Sequence, residues 1–154
     1  MKIKVFIENE AASNQKNIFN EKKLEFMKKV QVSAEYPYPY GFILNTTGED
    51  GDNIDCFVLT DQQLRTGDII ECEPIGLMEQ VETSWSPEKT ELEENDHNVL
   101  ACIDDELVEI NKSVREKLED FVSHVFDHME NKTIKVGSFL GSQSALDYIT
   151  THMD

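Results

Sequence analysis

Short apolar runs of alternating character, turn residues between them, and a change of period near residue 113 together predict an α+β domain that is mainly β, with a closed barrel-like sheet and flanking α-helices. The chain has 154 residues, the length of one ordinary domain, taken as residues 1–154. Hydrophobic residues make up 39% and charged residues 29%, enough apolar material to bury a core.

The first strand is announced by Ile3, Val5 and Ile7, which alternate with Lys2, Lys4, Phe6 and Glu8 as a half-buried strand requires. Similar runs follow at Leu24 to Val32, Phe42 to Leu44, Cys56 to Leu59, Asp68 to Ile75, Val99 to Ile103 and Thr133 to Val136. Gly, Pro, Asn or Asp bound many of them, and no helix fits in between, so antiparallel connections are favoured over parallel ones. From Ser113 the apolar residues Val114, Leu118, Phe121, Val122, Val125, Phe126 and Met129 fall at helical spacing, with Ser113 and Glu116 matching a capping box. A second, shorter helix is expected from Ser142 or Ser144 through Ala145, Leu146 and Ile149. The stretch Glu79 to Asn95, with six glutamates, Trp85 and Pro87, reads as an exposed acidic loop.

Charge narrows the function. Lys plus Arg total 14 against 31 Asp plus Glu, a formal net charge of -17, which repels a phosphate backbone and excludes nucleic acid as a partner. The same charge attracts divalent cations wherever carboxylates converge. With no apolar run of about 18 residues and no signal-peptide stretch at the amino terminus, a soluble cytoplasmic protein with no membrane partner is expected. Cys56, Cys72 and Cys102 form no CxxC pair and are expected as reduced core thiols.

Two clusters carry chemistry. Asp50-Gly51-Asp52-Asn53-Ile54-Asp55 packs three carboxylates just before an apolar strand, an arrangement that a bound cation would relieve. It is not an EF-hand, because Asp55 stands at the sixth loop position where Gly is required; a solvated acidic turn is the plain alternative. Upstream, Tyr36-Pro37-Tyr38-Pro39-Tyr40-Gly41-Phe42 holds three phenols at alternate positions of a stiff segment, expected on one side, as phosphate donors or as aromatics at the core rim.

Together these clusters resemble the family I (soluble) inorganic pyrophosphatases, in which a YPxxYGY/F segment precedes a DxDPxD signature by the separation that Tyr40 and Asp50 keep here. Similarity continues through Arg65-Thr66-Gly67-Asp68-Ile69-Ile70, Pro74-Ile75-Gly76 and Asp96 before Val99-Leu100-Ala101, and more weakly beyond. The resemblance implies an OB-like closed β-barrel, a homo-oligomer, Mg²⁺ or alternatively Mn²⁺ as cofactor, and pyrophosphate or a related diphosphate as substrate. It also implies roles. Asp50, Asp55 and Asp96 would hold the principal metal, with Glu8 and Glu91 as further metal-site carboxylates, Glu82 being the alternative to Glu91. Asp52 would act as general base. Tyr36, Tyr40, Lys28 and Lys16 would bind phosphate, with Tyr36, Tyr40 and Lys28 also assisting catalysis.

The departures are informative as well. Asn53 replaces the signature proline, a small change; Asn98 stands where a phosphate-binding lysine is expected; Val125-Phe126 occupies the register of a Tyr-Lys pair; Ile18 replaces a glutamate. Lost cations imply weakened pyrophosphate hydrolysis, and leave open a non-catalytic metal-binding relative or a hydrolase of a larger diphosphate. His124 and His128, four residues apart, are read as surface or rim histidines rather than metal ligands.

Overall fold

The first strand, β1 (Ile3–Asn9), is buried along almost its whole length rather than on one face. In the computed structural model, which describes residues 1–88 and 90–154, a two-stranded hairpin covers the side that alternation alone would leave wet. This hairpin, β2 (Gln15–Asn20) and β3 (Glu25–Gln31), brings Phe19 edge-on to Phe6 at 5.0 Å between ring centroids, while Phe42 stacks on Phe6 at 5.1 Å. Burying an aromatic face outweighs the period-two expectation.

The remaining strands are β4 (Tyr40–Ile43), β5 (Asp55–Val58), β6 (Ile69–Trp85), β7 (Glu91–Asn95), β8 (Asn98–Ile103) and β9 (Lys132–Leu140). Pairing runs β1-β4-β5-β8-β6, and β6 returns to pair with β1, so five strands close into a ring with no free edge among them. Among the described residues only β5 and β8 pair in parallel. At 17 residues, β6 is long enough to serve twice: its first half closes the ring, and its second half forms a ribbon with β7 and β9. The stretch Glu79 to Asn95, expected as a loop, is therefore largely a β-hairpin. Its strand pairing satisfies backbone groups that acidic composition says nothing about.

Helix α1 (Lys112–His124) starts one residue before the expected serine, because the Asn111 side chain accepts from the Val114 backbone N–H at 3.0 Å and is the cap in place of Ser113. It stops at His124, so Phe126, in the turn that follows, and Met129 lie beyond it. Helix α2 (Ser142–Thr151) forms where expected.

Because strand side chains alternate, the ring has two differently furnished faces. Val5, Ile43, Cys56, Val58, Val99 and Ala101 pack with Ala145 and Ile149 of α2. On the other face Phe57, Leu59, Met78 and Leu100 pack with Leu118, Phe121 and Val122 of α1. The three cysteines are buried and free.

Candidate active site

The same alternation builds the site. Glu8 shares the face of Phe6, Tyr40 that of Phe42, Asp55 that of Phe57, and Asn98 that of Leu100, so polar side chains from β1, β4, β5 and β8 emerge together beside α1. They line a cavity of about 300 Å³. Its carboxylates are Glu8, Glu21, Asp50, Asp52, Asp55, Glu82 and Asp96; its cations are Lys16 and Lys132; its phenols are Tyr36 and Tyr40. Among the residues expected from sequence, Glu8, Lys16, Tyr36, Tyr40, Asp50, Asp52, Asp55 and Asp96 are thus brought together.

Two are not. Lys28 lies opposite Ile18 in the β2–β3 register, hence on the hairpin face that carries Lys16, but its side chain is exposed and does not line the cavity. Glu91 pairs with Trp85 at the far end of the ribbon and is exposed, while Glu82 lines the cavity in its stead. The reason is the hairpin itself: folded back as β7, the acidic stretch carries Glu91 away from Asp96. Tyr38 also departs from expectation, since the chain bends at Pro37-Tyr38 and only Tyr36 and Tyr40 come together, 5.4 Å between ring centroids.

Burial sets the electrostatics. Desolvation pushes the Glu8 carboxyl up to about 7, opposed by the charge of Lys16, and raises Glu21 to about 8 with help from Glu8 and Asp52. Asp55 is raised well above the usual carboxylate range, first by burial and then by Asp96. Asp96 is raised as well, burial again leading, although its side-chain hydrogen bond with Asp55 acts the other way. Tyr36 and Tyr40 are raised by burial and by surrounding carboxylates, so both phenols remain protonated hydrogen-bond donors.

The signature loop is a tight turn. Asp52 donates its backbone N–H to an Asp50 carboxylate oxygen at 3.0 Å, Gly48 N–H reaches Asp52 O at 2.7 Å, and Gly51 takes φ +88°, a conformation that disfavours any side chain. Asn53 proves more than a small change. Its backbone N–H donates to Glu21 Oε1 at 3.0 Å, a bond that the usual proline has no N–H to make. Glu21 thereby enters the cavity from the β2–β3 turn, although it lies three residues beyond Ile18 and carries no sequence signal of its own. Lys132 was legible in principle: it precedes Ile134 and Val136 at period two, one residue before the expected strand.

The oxygen-rich donor set fits a hard divalent cation in chemistry and charge. Unpartnered buried carbonyl oxygens on Gln80 and Asn98, both lining the cavity, mark polar groups that await a partner. Among the described residues, however, no three acidic, His or Cys side chains already converge as a metal cage. His124 stays at the surface, bonded to Asp127 at 2.8 Å, and His128 bonds Ser33 Oγ at 2.6 Å.

Comparison with known proteins agrees with this picture. The family model described as inorganic pyrophosphatase matches residues 5–154. An inorganic pyrophosphatase of Nanoarchaeum equitans is 30% identical over 156 residues, covering 94% of this chain and 91% of the relative. The crystal structure of an inorganic pyrophosphatase from Neisseria gonorrhoeae superposes with a TM-score of 0.82 at 28% identity, covering 97% of this chain and 88% of that one. A structure from Anaplasma phagocytophilum, titled as an inorganic phosphatase, gives a TM-score of 0.81 at 26% identity over 98% of this chain and 91% of that one. These likenesses run from β1 to the last residue and span ring, ribbon and both helices, so they concern the whole fold rather than a shared motif, and the chain belongs to the inorganic pyrophosphatase family.

Proposed function

We infer that the protein hydrolyses inorganic pyrophosphate to two phosphates with a divalent cation, Mg²⁺ above all, bound by carboxylates of the cavity. The observation that carries this reading is the meeting of seven carboxylates, two lysines and two protonated tyrosines in one cavity on a pyrophosphatase-family fold. Asp50, Asp55 and Asp96 would hold the cation, with Glu8, Glu21 and Glu82 nearby as further oxygen donors. Bound there, it would lower the pKa of water and neutralise charge on the substrate's oxygens.

The chain's own residues do the rest. Asp52, on the exposed signature turn at the cavity wall, accepts the proton of the water whose oxygen attacks phosphorus as the bridging P–O bond breaks. Lys16 and the Tyr36 and Tyr40 hydroxyls donate to the leaving phosphate, where the electron pair of that bond arrives. The aromatic and aliphatic wall of Phe57, Phe121 and Val122 keeps this end of the cavity poor in water, which strengthens each charge interaction.

Among the described residues no helix is long and apolar enough to cross a membrane, and the free cysteines suit a reducing cytoplasm. A homo-oligomer is expected as in the resemblance drawn above. The test is phosphate release from pyrophosphate, nucleoside diphosphates and nucleoside triphosphates, with and without Mg²⁺. Mg²⁺-dependent release from pyrophosphate, reduced to background by Asp52→Asn, is the expected result. No release from pyrophosphate with any divalent cation would overturn it.

A further inference from the structure

Two positions where a cation is expected hold Asn98 and Phe126, yet the cavity is not short of positive charge. Lys132, at the start of β9, points into it beside Lys16. Its Nζ lies 2.6 Å from Glu82 Oε1, and its side chain is only 26% exposed, against 83% for Lys112 in a surface ion pair. The same ammonium sits 4.5 Å from the centroid of the Phe126 ring, and Lys16 Nζ lies 5.8 Å from that ring. One aromatic ring thus attracts both cavity cations and limits their rotamers.

An ammonium has three donors. Glu82 takes one, and the ring occupies one side without consuming a hydrogen, so donors remain for an anion entering the cavity. Replacing a helix lysine by phenylalanine has then not simply removed a charge: the ring gathers two others.

We propose that Lys132 is a phosphate-binding residue of this cavity, and that Phe126 is the positioning residue that seats Lys132 and Lys16 toward the anion. The proposal rests on the pyrophosphatase reading above and extends it to residues that reading does not use.

Binding of imidodiphosphate, which resists hydrolysis, is measured by calorimetry at fixed Mg²⁺, alongside pyrophosphate turnover by the same preparation. Lys132→Met should weaken binding about tenfold or more, the size of one lost charge-assisted hydrogen bond. Lys132→Arg should stay within about threefold of wild type, since a guanidinium also donates to phosphate. Phe126→Leu, which keeps an apolar side chain without a ring, should weaken binding several-fold, whereas Lys135→Met, on the exposed face of β9, should change nothing. Thermal melting in Mg²⁺ without anion reports folding and metal binding separately; a structural ion pair alone would move melting and leave anion affinity untouched. Anion affinity of Lys132→Met within twofold of wild type, with the fold intact, overturns the proposal. Should the Met variant fail to fold, the arginine and Phe126→Leu variants decide: unchanged affinity in Phe126→Leu removes the positioning role, and a loss of about tenfold or more in Lys132→Arg contradicts binding by charge. Absence of turnover in wild type would sink the proposed function while leaving the binding result to stand alone.

Discussion

Gly41 offers the sharpest test of how the fold places the site. It lies between Tyr40 of the cavity and Phe42 of the core, and it faces Ile7 across the β1–β4 ladder. A Cβ added there would stand 1.8 Å from the Phe6 carbonyl oxygen, 2.8 Å from its carbon and 3.1 Å from the Glu8 nitrogen. An ordinary carbon–oxygen contact is about 3.3 Å, so Gly41→Ala creates an overlap of roughly 1.5 Å with atoms of a neighbouring backbone, which cannot rotate away. Relief requires β4 to move off β1. Overpacking costs typically about 1–3 kcal/mol, and each weakened ladder hydrogen bond adds about 1 kcal/mol, so a loss of at least about 3 kcal/mol is expected. For a domain of this size that lowers Tm by roughly 6–12 °C, at about 2–4 °C per kcal/mol. The measurement is thermal unfolding at one fixed protein concentration, because assembly would shift Tm by mass action. Gly137→Ala is the control: its nearest atom is the Glu79 Cβ at 3.3 Å, so a shift of about a few tenths of an ångström relieves it and its Tm should move by only a few degrees. A Gly41→Ala protein melting within about 2 °C of wild type would refute the steric argument.

Three further outcomes are expected. Asp55→Asn should raise Tm in chelator, because it removes a deeply buried carboxyl next to Asp96, and should abolish most of the rise caused by Mg²⁺; equal Mg²⁺-induced shifts in both proteins would move the metal elsewhere. Glu8 and Glu21 have folded values of about 7 and about 8 against 4.5 for the free side chain, so the folded state holds more protons between these limits and metal-free stability should fall as pH rises from 5 to 8. Denaturation midpoints in chelator that stay level or climb over that range would contradict the burial of these groups. Light scattering at moderate salt should return more than one subunit mass, and a monomer would remove the oligomer from the proposed function.

Local sequence determined a good deal here. Alternation located most of the strands, helical spacing located both helices, and the paired motifs around Tyr36 and Asp50 held five residues that line the cavity, the family resemblance they carry adding Glu8, Lys16 and Asp96. These are short-range signals, carried by periods of two and 3.6 residues and by fixed motif spacing, and they survive without knowledge of neighbours. Tertiary structure decided what depended on which segment covers which. Phe6 is buried because a hairpin lies over it; the acidic stretch pairs as a ribbon and so carries Glu91 away while Glu82 stays; Glu21 reaches the cavity because Asn53, 32 residues on, offers it an N–H that proline lacks. Lys16 reaches the Phe126 ring for the same reason, because it approaches from β2, 110 residues earlier in the chain, and no local pattern records such a contact, whereas Lys132 lies only six residues from that ring.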